Sequence, residues 1–489
     1  MKPGRFYLFL AAAAVLQLML AARMAPTDDE LYYWCWSKDL QASYFDHPPV
    51  TAYLIRISTS ILGDSLLGVR LFACLCTICT LALIGTLTGR RGIPWLLITP
   101  MFALGSILMT PDTPLLFFWT TYAVWLVKMQ GRESATWRQW ALGGLLLGLG
   151  GLSKYTMVLA VPGAFVSFVL AAPHPRRHWI GGFALHLLVA MAVASPVLYY
   201  NLRHDFAPFR WQMAHASPDD SGFSLNNIVM HVGAQLTLFG LFAFTAIPWC
   251  LRQRRELLAD NRLRVCFVQF LFPTFFFLYK GFVIHVEGNW PFICYMTLLP
   301  LILNWWDQLK EGTQKRWSLP GSFALPAGLT AIILAHMTWH LPMPAAADRL
   351  TQFQVRYETA RRVSEWAKAR DVDRIYATSY QLTSQLRFQH VDAKQLPGHG
   401  RPSQFSLQGV EVDPEPCVHV FLHRSKDHDF PEIRLEEHGE PSVVARFPEF
   451  VSGSLLGEYV VLRFESEAGP RDPLTFAKSS SRKTPLDQR

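Results

Sequence analysis

Three consecutive carboxylates, Asp28, Asp29 and Glu30, directly follow an apolar run that is long enough to span a bilayer. Aromatic residues, which favour the membrane interface, come immediately after them at residues 32–34. Because charge is costly beside hydrocarbon, acidic residues at this depth usually mark a working site. A carboxylate held there can take the proton from an attacking hydroxyl group, which is general-base chemistry.

Asp29 is the predicted base, and Asp28 is the predicted cap of a helix that starts near Glu30. The alternative for Asp29 is a solvated acid at that helix start. Glu30 either orients Asp29 or simply belongs to the first helical turn. The three carboxylates could bind a divalent ion, but the ligand set is incomplete, so neither a metal site nor a cofactor is firmly predicted.

A second polar segment contains Tyr44, Asp46 and His47, followed by two prolines. The prolines impose an extended turn and so hold the preceding side chains at a defined angle. Asp46 and His47 are therefore candidates to contact a phosphate, an acceptor or a metal, with Tyr44 as a substrate contact. The alternative is a rigid loop that carries an interfacial histidine.

Further polar residues recur at 110–114, 152–155 and 288–291. Asp112 lies between two prolines, either as a helix N-cap or as a catalytic-site residue. Lys154 is a point cation that can neutralise a departing phosphate, or a lysine that snorkels at the membrane edge. Tyr155, Asn289 and Trp290 are candidate substrate contacts, although Trp290 equally suits an aromatic belt.

Two arginines, Arg203 and Arg210, are weaker candidates for phosphate binding. Arginine forms bidentate hydrogen bonds with phosphate. It is also an ordinary residue near lipid headgroups, so the residue type alone does not decide between these roles.

The composition favours a membrane protein, because 51% of the 489 residues are hydrophobic and only 17% are charged. About a quarter of a soluble protein is usually charged. The net charge of +8 comes mostly from short loops between apolar runs, which indicates orientation in a membrane rather than nucleic-acid binding. The eight cysteines lie mostly in apolar runs and form no disulfide framework.

About eleven apolar runs approach membrane-spanning length, and the first is read as an uncleaved span. If the N-terminus is cytoplasmic, the loops rich in Lys and Arg fall inside and the acidic and aromatic clusters fall outside. The span interiors are nearly bare of charge, which favours an interfacial enzyme over a transport path. The runs lie near residues 6–24, 66–87, 93–110, 114–129, 139–153, 155–172, 179–200, 228–250, 264–282, 290–305 and 320–341.

The chain changes character near residue 345, where it becomes charged and contains no further span. A helical stretch at 357–369 and strands at 374–378, 418–422 and 459–464 predict a small α/β domain on the outer face. The predicted fold is thus a polytopic α-helical membrane domain at 1–344 and an α/β domain at 345–465. Residues 466–489 read as a disordered tail.

The ordered set of motifs resembles the polyprenyl-phosphate-sugar-dependent glycosyltransferases of the GT-C superfamily. Among bacterial members, it is similar to those related to protein O-mannosyltransferases and to lipid A aminoarabinose transferases. The resemblance covers roughly residues 6–345. One departure is His47, because aminoarabinose transferases carry a lysine between the carboxylate and the proline, and that lysine is associated with the lipid-phosphate site.

The resemblance implies an inverting transferase at the periplasmic face of a bacterial inner membrane. The implied donor is a sugar on a polyprenyl phosphate whose prenyl chain lies between the spans. Asp29 would deprotonate the acceptor, and Lys154, with Arg203 or Arg210, would stabilise the lipid-phosphate leaving group. Lipid A, a glycan and a protein hydroxyl all remain open as acceptors, and membrane lipids are the other partners.

Two other classes of function remain open. A lipid-linked sugar flippase or transporter would need polar residues along a path through the spans. A non-catalytic envelope assembly protein would tolerate loss of every outer acid.

Overall fold

The structure is a computed structural model, and the chain divides into two compact units, Met1–Leu341 and Pro342–Arg489. Most of the predicted C-terminal tail lies outside the described residues, although Ser466 forms a β-bridge with His438. The described residues are 3–130, 132, 135–171, 176–216, 223–241, 248–409, 412, 417–425, 433, 435 and 438–466.

The first unit is helical, and each apolar run of the sequence contains at least one helix. Short 3-10 helices at Gly105–Ile107 and Tyr155–Leu159 join some of the α-helices. The described α-helices are α1 (Pro3–Arg23), α2 (Asp28–Lys38), α3 (Val50–Leu62), α4 (Leu66–Thr88), α5 (Ile93–Leu97), α6 (Pro100–Ala103), α7 (Asp112–Gln130), α8 (Trp137–Gly151), α9 (Ala160–Ala171), α10 (Arg176–Arg203), α11 (Ala207–Ala216), α12 (Leu225–Phe239), α13 (Arg254–Ala259), α14 (Asn261–Val283), α15 (Phe292–Gln308) and α16 (Thr313–Trp339).

Five helices of the described part of the chain are long and apolar enough to cross a membrane, namely α1, α4, α10, α14 and α16. The number becomes six if the bent pair 100–107 and Asp112–Gln130, which meet at 118°, is taken as one span. Helices α8, α9 and α12 have 15, 12 and 15 residues. A span usually needs about 20 residues. The count of eleven spans therefore stays a prediction.

The run at 93–110 is a broken helix rather than a single regular span. Prolines at the starts of α5 and α6 divide it, and a 3-10 turn follows. The carbonyl of Ile98, which lies at the break, accepts a hydrogen bond of 2.8 Å from the Thr330 hydroxyl of α16. A polar side chain from a neighbouring helix thus satisfies backbone that the break leaves unpaired, as broken membrane helices require.

Close packing of α8 against α10 positions the segment that carries Lys154. A Cβ atom at Gly144 would lie 2.3 Å from the carbonyl oxygen of His186, so only glycine permits this approach. Small residues at such contacts allow membrane helices to pack backbone against backbone. Helix α8 ends at Gly151, and Lys154 follows three residues later at the start of a 3-10 helix.

The second unit is an α/β domain with a five-stranded mixed sheet in the order β2-β1-β3-β5-β4. Strand β1 pairs in parallel with β2 and β3, whereas β5 pairs antiparallel with β3 and β4. Strands occur at all three predicted places, and the helix predicted at 357–369 begins earlier. The elements are α17 (Arg349–Lys368), β1 (Arg374–Ala377), α18 (Tyr380–Phe388), β2 (Asp392–Gln395), α19 (Gln404–Leu407), β3 (Cys417–Ser425), β4 (Ser442–Val451) and β5 (Ser454–Glu465).

Candidate active site

Helix α2 begins at the acidic run, and its cap is Thr27. The Thr27 hydroxyl accepts a hydrogen bond from the Glu30 N–H at 3.3 Å, and the Glu30 carboxylate accepts one from the Thr27 N–H at 3.0 Å. This reciprocal arrangement is a capping box. The prediction that Asp28 caps the helix was wrong, because Asp28 already belongs to the first turn and Thr27 has the glutamate three residues later that a capping box needs.

The three carboxylates differ in their burial. Asp28 is 9% exposed and Glu30 is 0% exposed, whereas Asp29 lies at the surface. Successive helical residues are rotated by about 100°, so neighbours in sequence point in different directions. Asp29 is therefore the solvent-exposed carboxylate of this run.

Glu30 forms a fully buried ion pair with Arg70 of α4. The Arg70 Nε and Nη2 atoms donate to the two carboxylate oxygens at 2.7 and 2.6 Å. The same guanidinium donates to the carbonyl oxygens of Ala21, Met24 and Ala25 at 2.8–3.0 Å. Arginine fits such a place because its planar fork can satisfy a carboxylate and several carbonyl groups at once. The pair fastens the end of α1 and the start of α2 to α4.

Glu30 also connects α2 with the loop that leads to Asp112. Its Oε1 atom accepts a hydrogen bond of 3.0 Å from the N–H of Met109. Met109 and Asp112 are three residues apart, so their Cα atoms are at most about 11 Å apart. The acidic helix and the Asp112 segment are thus held next to each other.

Asp112, Lys154 and Asn289 come together although they belong to three separate parts of the sequence. Lys154 Nζ donates to Asp112 Oδ1 at 2.7 Å, and Asn289 Nδ2 donates to Asp112 Oδ2 at 2.8 Å. The side chains of Lys154 and Asp112 are 10% and 11% exposed. Helix α7 begins at Asp112 itself, so the N-cap alternative was wrong, and its carboxylate instead positions a lysine and an amide.

The segment that carries Asn289 is held by hydrogen bonds from the side chain of Gln235. Gln235 of α12 donates through Nε2 to the carbonyl oxygen of Gly288 at 3.1 Å. Its Oε1 atom accepts a hydrogen bond of 2.9 Å from the Tyr295 hydroxyl. This buried pair fixes the backbone beside Asn289, while Trp290 is half-buried and packs against the hydrophobic core.

The Asp46–His47 turn lies beside the Lys154 segment. Asp46 accepts a hydrogen bond of 2.8 Å from the Tyr32 hydroxyl, and His47 is half-buried with its ring 6.1 Å from that of Tyr33. After the two prolines, the Val50 N–H donates to the carbonyl oxygen of Leu152 at 3.1 Å. Leu152 is two residues before Lys154, so the Asp46–His47 turn and the Lys154 segment lie side by side.

Tyr44 and Tyr155 occupy different surroundings. Tyr44 is 1% exposed, stacks on Trp36 with the rings 4.5 Å apart, and donates to the Trp36 carbonyl oxygen at 2.9 Å. Burial raises the pKa of Tyr44. Its place is in the packing beneath the loop rather than at an accessible surface. Tyr155 is half-buried and its ring contacts Phe209 of α11 edge-on.

Comparison with known proteins connects this arrangement with a group of membrane enzymes. Residues 46–200 match the family described as dolichyl-phosphate-mannose-protein mannosyltransferase. The chain is 25% identical over 380 residues to a lipid A galacturonosyltransferase from Rhizobium johnstonii, a match that covers 75% of this chain and 78% of the relative. The matched family region contains Asp46, His47, Asp112 and Lys154.

The fold agrees with solved structures. ArnT from Cupriavidus metallidurans bound to undecaprenyl phosphate superposes with a TM-score of 0.64 at 13% identity, over 96% of this chain and 100% of that one. The apo state of the same protein gives 0.62 over the same shares and at the same identity. The family match, the relative and the shared fold together support membership of the GT-C superfamily of membrane glycosyltransferases. The resemblance read from the ordered motifs is confirmed, and the chain is a multi-pass membrane protein.

Helix α11 lies against the Asp46 turn and carries Arg210. Gln212 donates to the Asp46 carbonyl oxygen at 2.7 Å, and the ring of Trp211 lies 5.7 Å from that of Phe45. Arg210 is exposed between these contacts. Arg203 is also exposed and is the last residue of α10, so phosphate binding by either arginine stays a prediction.

Glu30 of the acidic run is engaged by a guanidinium. Both of its carboxylate oxygens accept hydrogen bonds from Arg70. Across the described ranges, no group of three or more His, Cys, Asp or Glu side chains is arranged to hold a metal ion.

Arg70 is the residue that sequence reasoning missed. It lies inside the apolar run at 66–87, and a charged residue within a membrane span is itself a functional signal. The prediction from the sequence described the span interiors as nearly bare of charge and did not consider Arg70. Its partner Glu30 was noticed only as a neighbour of Asp29.

Proposed function

We propose that this chain is an inverting glycosyltransferase that moves a sugar from a polyprenyl-phosphate carrier to lipid A. The observation that carries the proposal is the exposed Asp29 beside Glu30, whose carboxylate is hydrogen-bonded to the loop leading to the Asp112–Lys154 pair. A base and a cation are thus held on neighbouring segments, as a displacement reaction at a sugar requires.

Asp29 acts as the base in this mechanism. The acceptor hydroxyl oxygen attacks the anomeric carbon of the sugar, and the Asp29 carboxylate takes its proton. The bond between the anomeric carbon and the phosphate oxygen breaks, and the electron pair leaves with the polyprenyl phosphate. Attack opposite to the leaving group inverts the configuration at that carbon.

Lys154 stabilises the leaving group. Its ammonium group has three N–H donors, and Asp112 occupies one of them in the structure. The others can donate to phosphate oxygens, where a positioned cation offsets the charge that develops as the bond breaks. Asp112 and Asn289 hold the lysine in place, and the exposed Arg210 supplies a second cation.

The acceptor and the donor carrier are inferred from relatives. One relative is named as a lipid A galacturonosyltransferase, and the fold matches ArnT, which has been crystallised with undecaprenyl phosphate. A lipid acceptor also suits a base at the end of a membrane helix. The sugar itself stays open.

We place the site on the periplasmic side of a bacterial inner membrane. Residues of different loops that are predicted as cytoplasmic contact one another in the structure. This supports their location on the same side of the membrane. Arg91 pairs with Asp307, and Arg264 donates to the Gln130 side chain at 2.9 Å. Lys38 and Asp64, both between the first two predicted spans, also pair with each other. The positive-inside rule then orients the basic set toward the cytoplasm.

The decisive experiment measures sugar transfer by the Asp29→Asn variant. Purified protein in nanodiscs receives an undecaprenyl-phosphate sugar and lipid A, and we expect kcat to fall by about 10²–10⁴-fold, as for loss of a general base. Binding of undecaprenyl phosphate should be unchanged. Asp39→Asn, which alters an exposed acid at the other end of the same helix, is the matched control and should keep full activity.

A folded Asp29→Asn protein with undiminished kcat would remove Asp29 as the base. Movement of the donor across the bilayer without transfer to any acceptor would instead support the flippase alternative.

A further inference from the structure

A large apolar groove lies between α1, the broken segment of α5 and α6, and α16. Its cavity volume is about 530 Å³. Leu16 is 54% exposed, and Ala12 and Ala331 are also exposed, so the groove is open along the surface of two candidate spans. In a bilayer, that surface faces hydrocarbon chains.

The groove exists because the segment beside it is not a continuous helix. Leu97 and Ala103 line it from either side of the break between α5 and α6. The lining on α1 and α16 includes small residues such as Ala12, Ala13 and Ala331. A short, broken segment facing small side chains leaves room for a chain-shaped ligand.

Gln17 is a buried polar residue in this apolar lining. It is 3% exposed, and its Nε2 atom is 3.4 Å from the Ser106 hydroxyl. Its Oε1 atom has no hydrogen-bond partner among the described residues. A buried carbonyl oxygen without a donor costs free energy, so a ligand with a hydroxyl group would be recognised here.

The groove leads toward the proposed base. Its lining on α1 extends from Phe9 to Leu20, which is about 16 Å along the helix axis. The carbonyl oxygen of the next residue, Ala21, is bound by Arg70, and Arg70 holds Glu30 beside Asp29. A chain lying in the groove would therefore bring its headgroup to the acidic helix.

We propose that this groove binds a hydroxylated acyl chain of the lipid acceptor, with Gln17 accepting the hydrogen bond of the chain hydroxyl. The chain of a polyprenyl phosphate contains only carbon and hydrogen. It therefore has no hydroxyl group that could form a hydrogen bond with Gln17 Oε1. The inference rests on the proposed function and adds how the acceptor is oriented.

The kinetic test fills the groove with Ala331→Trp and compares it with Ala324→Trp, an exposed site on the same helix outside the groove. Ala331→Trp should raise KM for lipid A by about tenfold, the effect of displacing roughly two buried methylene groups. KM for the donor and kinetics with a deacylated acceptor should stay unchanged. Gln17→Leu should weaken only acceptors whose acyl chain carries a hydroxyl.

A rise in donor KM would assign the groove to the prenyl chain and overturn the proposal. Equal effects of Ala331→Trp and Ala324→Trp would also overturn it.

A binding test separates this inference from the proposed function. Lipid A with a photoreactive group on a hydroxyacyl chain is crosslinked to the full-length protein in nanodiscs without donor. We expect adducts on residues 9–20 and 327–334, suppressed by Ala331→Trp and by excess lipid A but not by phosphatidylethanolamine. Such adducts without any sugar transfer would support binding of the acyl chain in the groove and would contradict the proposed transferase function. Transfer without groove adducts would overturn the groove alone.

Discussion

Arg70 and Glu30 form a bidentate ion pair whose side chains are 1% and 0% exposed. The residues are 40 positions apart, and the pair joins three helices at the base of the proposed catalytic carboxylate. Arg70 also donates hydrogen bonds to three backbone carbonyl oxygens. The two buried charges are therefore well compensated. The pair fixes the start of the helix that carries Asp29.

We expect Arg70→Met to destabilise the protein by about 3–5 kcal/mol, because it leaves a buried carboxylate without its partner. The double variant Glu30→Gln/Arg70→Met removes both charges and should recover part of that loss. Unfolding by denaturant in detergent micelles measures both. Equal stability of the single variant and the wild-type protein would show that Arg70 does not compensate the buried charge of Glu30.

Lys154→Met should weaken binding of undecaprenyl phosphate by about ten- to hundredfold, since hydrogen bonds to charged groups contribute about 1.5–3 kcal/mol. It also leaves Asp112 without its ammonium partner, so stability should fall. Adding Asp112→Asn should restore stability but not donor affinity, which separates the two roles. If lipid A affinity drops while donor affinity holds, Lys154 belongs to the acceptor side.

The proposed orientation predicts which cysteine variants a membrane-impermeant maleimide can label. In spheroplasts, Asp39→Cys should react at once, whereas Arg138→Cys should react only after permeabilisation, because both positions are exposed but lie in loops on opposite sides. Labelling of the parent protein, which has an exposed cysteine at Cys79, provides the baseline. Reversed labelling would place the acidic helix in the cytoplasm.

The C-terminal domain should lose stability as the pH falls below about 6.5. Burial, followed by the nearby Arg463, lowers the pKa of His419 in the folded domain. The unfolded chain therefore binds the proton at higher pH than the folded one, and stability rises with pH between the folded and unfolded pKa values. Hydrogen exchange of β3 and β5 at pH 5 and pH 7.5 measures this. His419→Gln should reduce the difference; an unchanged pH dependence would exclude His419 as its source.

The sequence by itself determined the class of the molecule and indicated candidate site residues. Apolar runs, basic loops and a charged C-terminal region are local patterns, and the ordered motifs around Asp29, Asp112, Lys154 and Asn289 were enough to indicate a GT-C enzyme. Local chemistry can be read in this way because helix propensity and membrane insertion depend mostly on neighbouring residues.

Only the tertiary structure decided which of the three consecutive carboxylates is buried in an ion pair and which is exposed. Asp28, Asp29 and Glu30 are three consecutive carboxylates, yet packing buries Glu30 against Arg70 and leaves Asp29 exposed. Asn289 reaches Asp112 across 177 positions. The free energy of a buried charge depends on which distant partner lies beside it, and no local pattern contains that information.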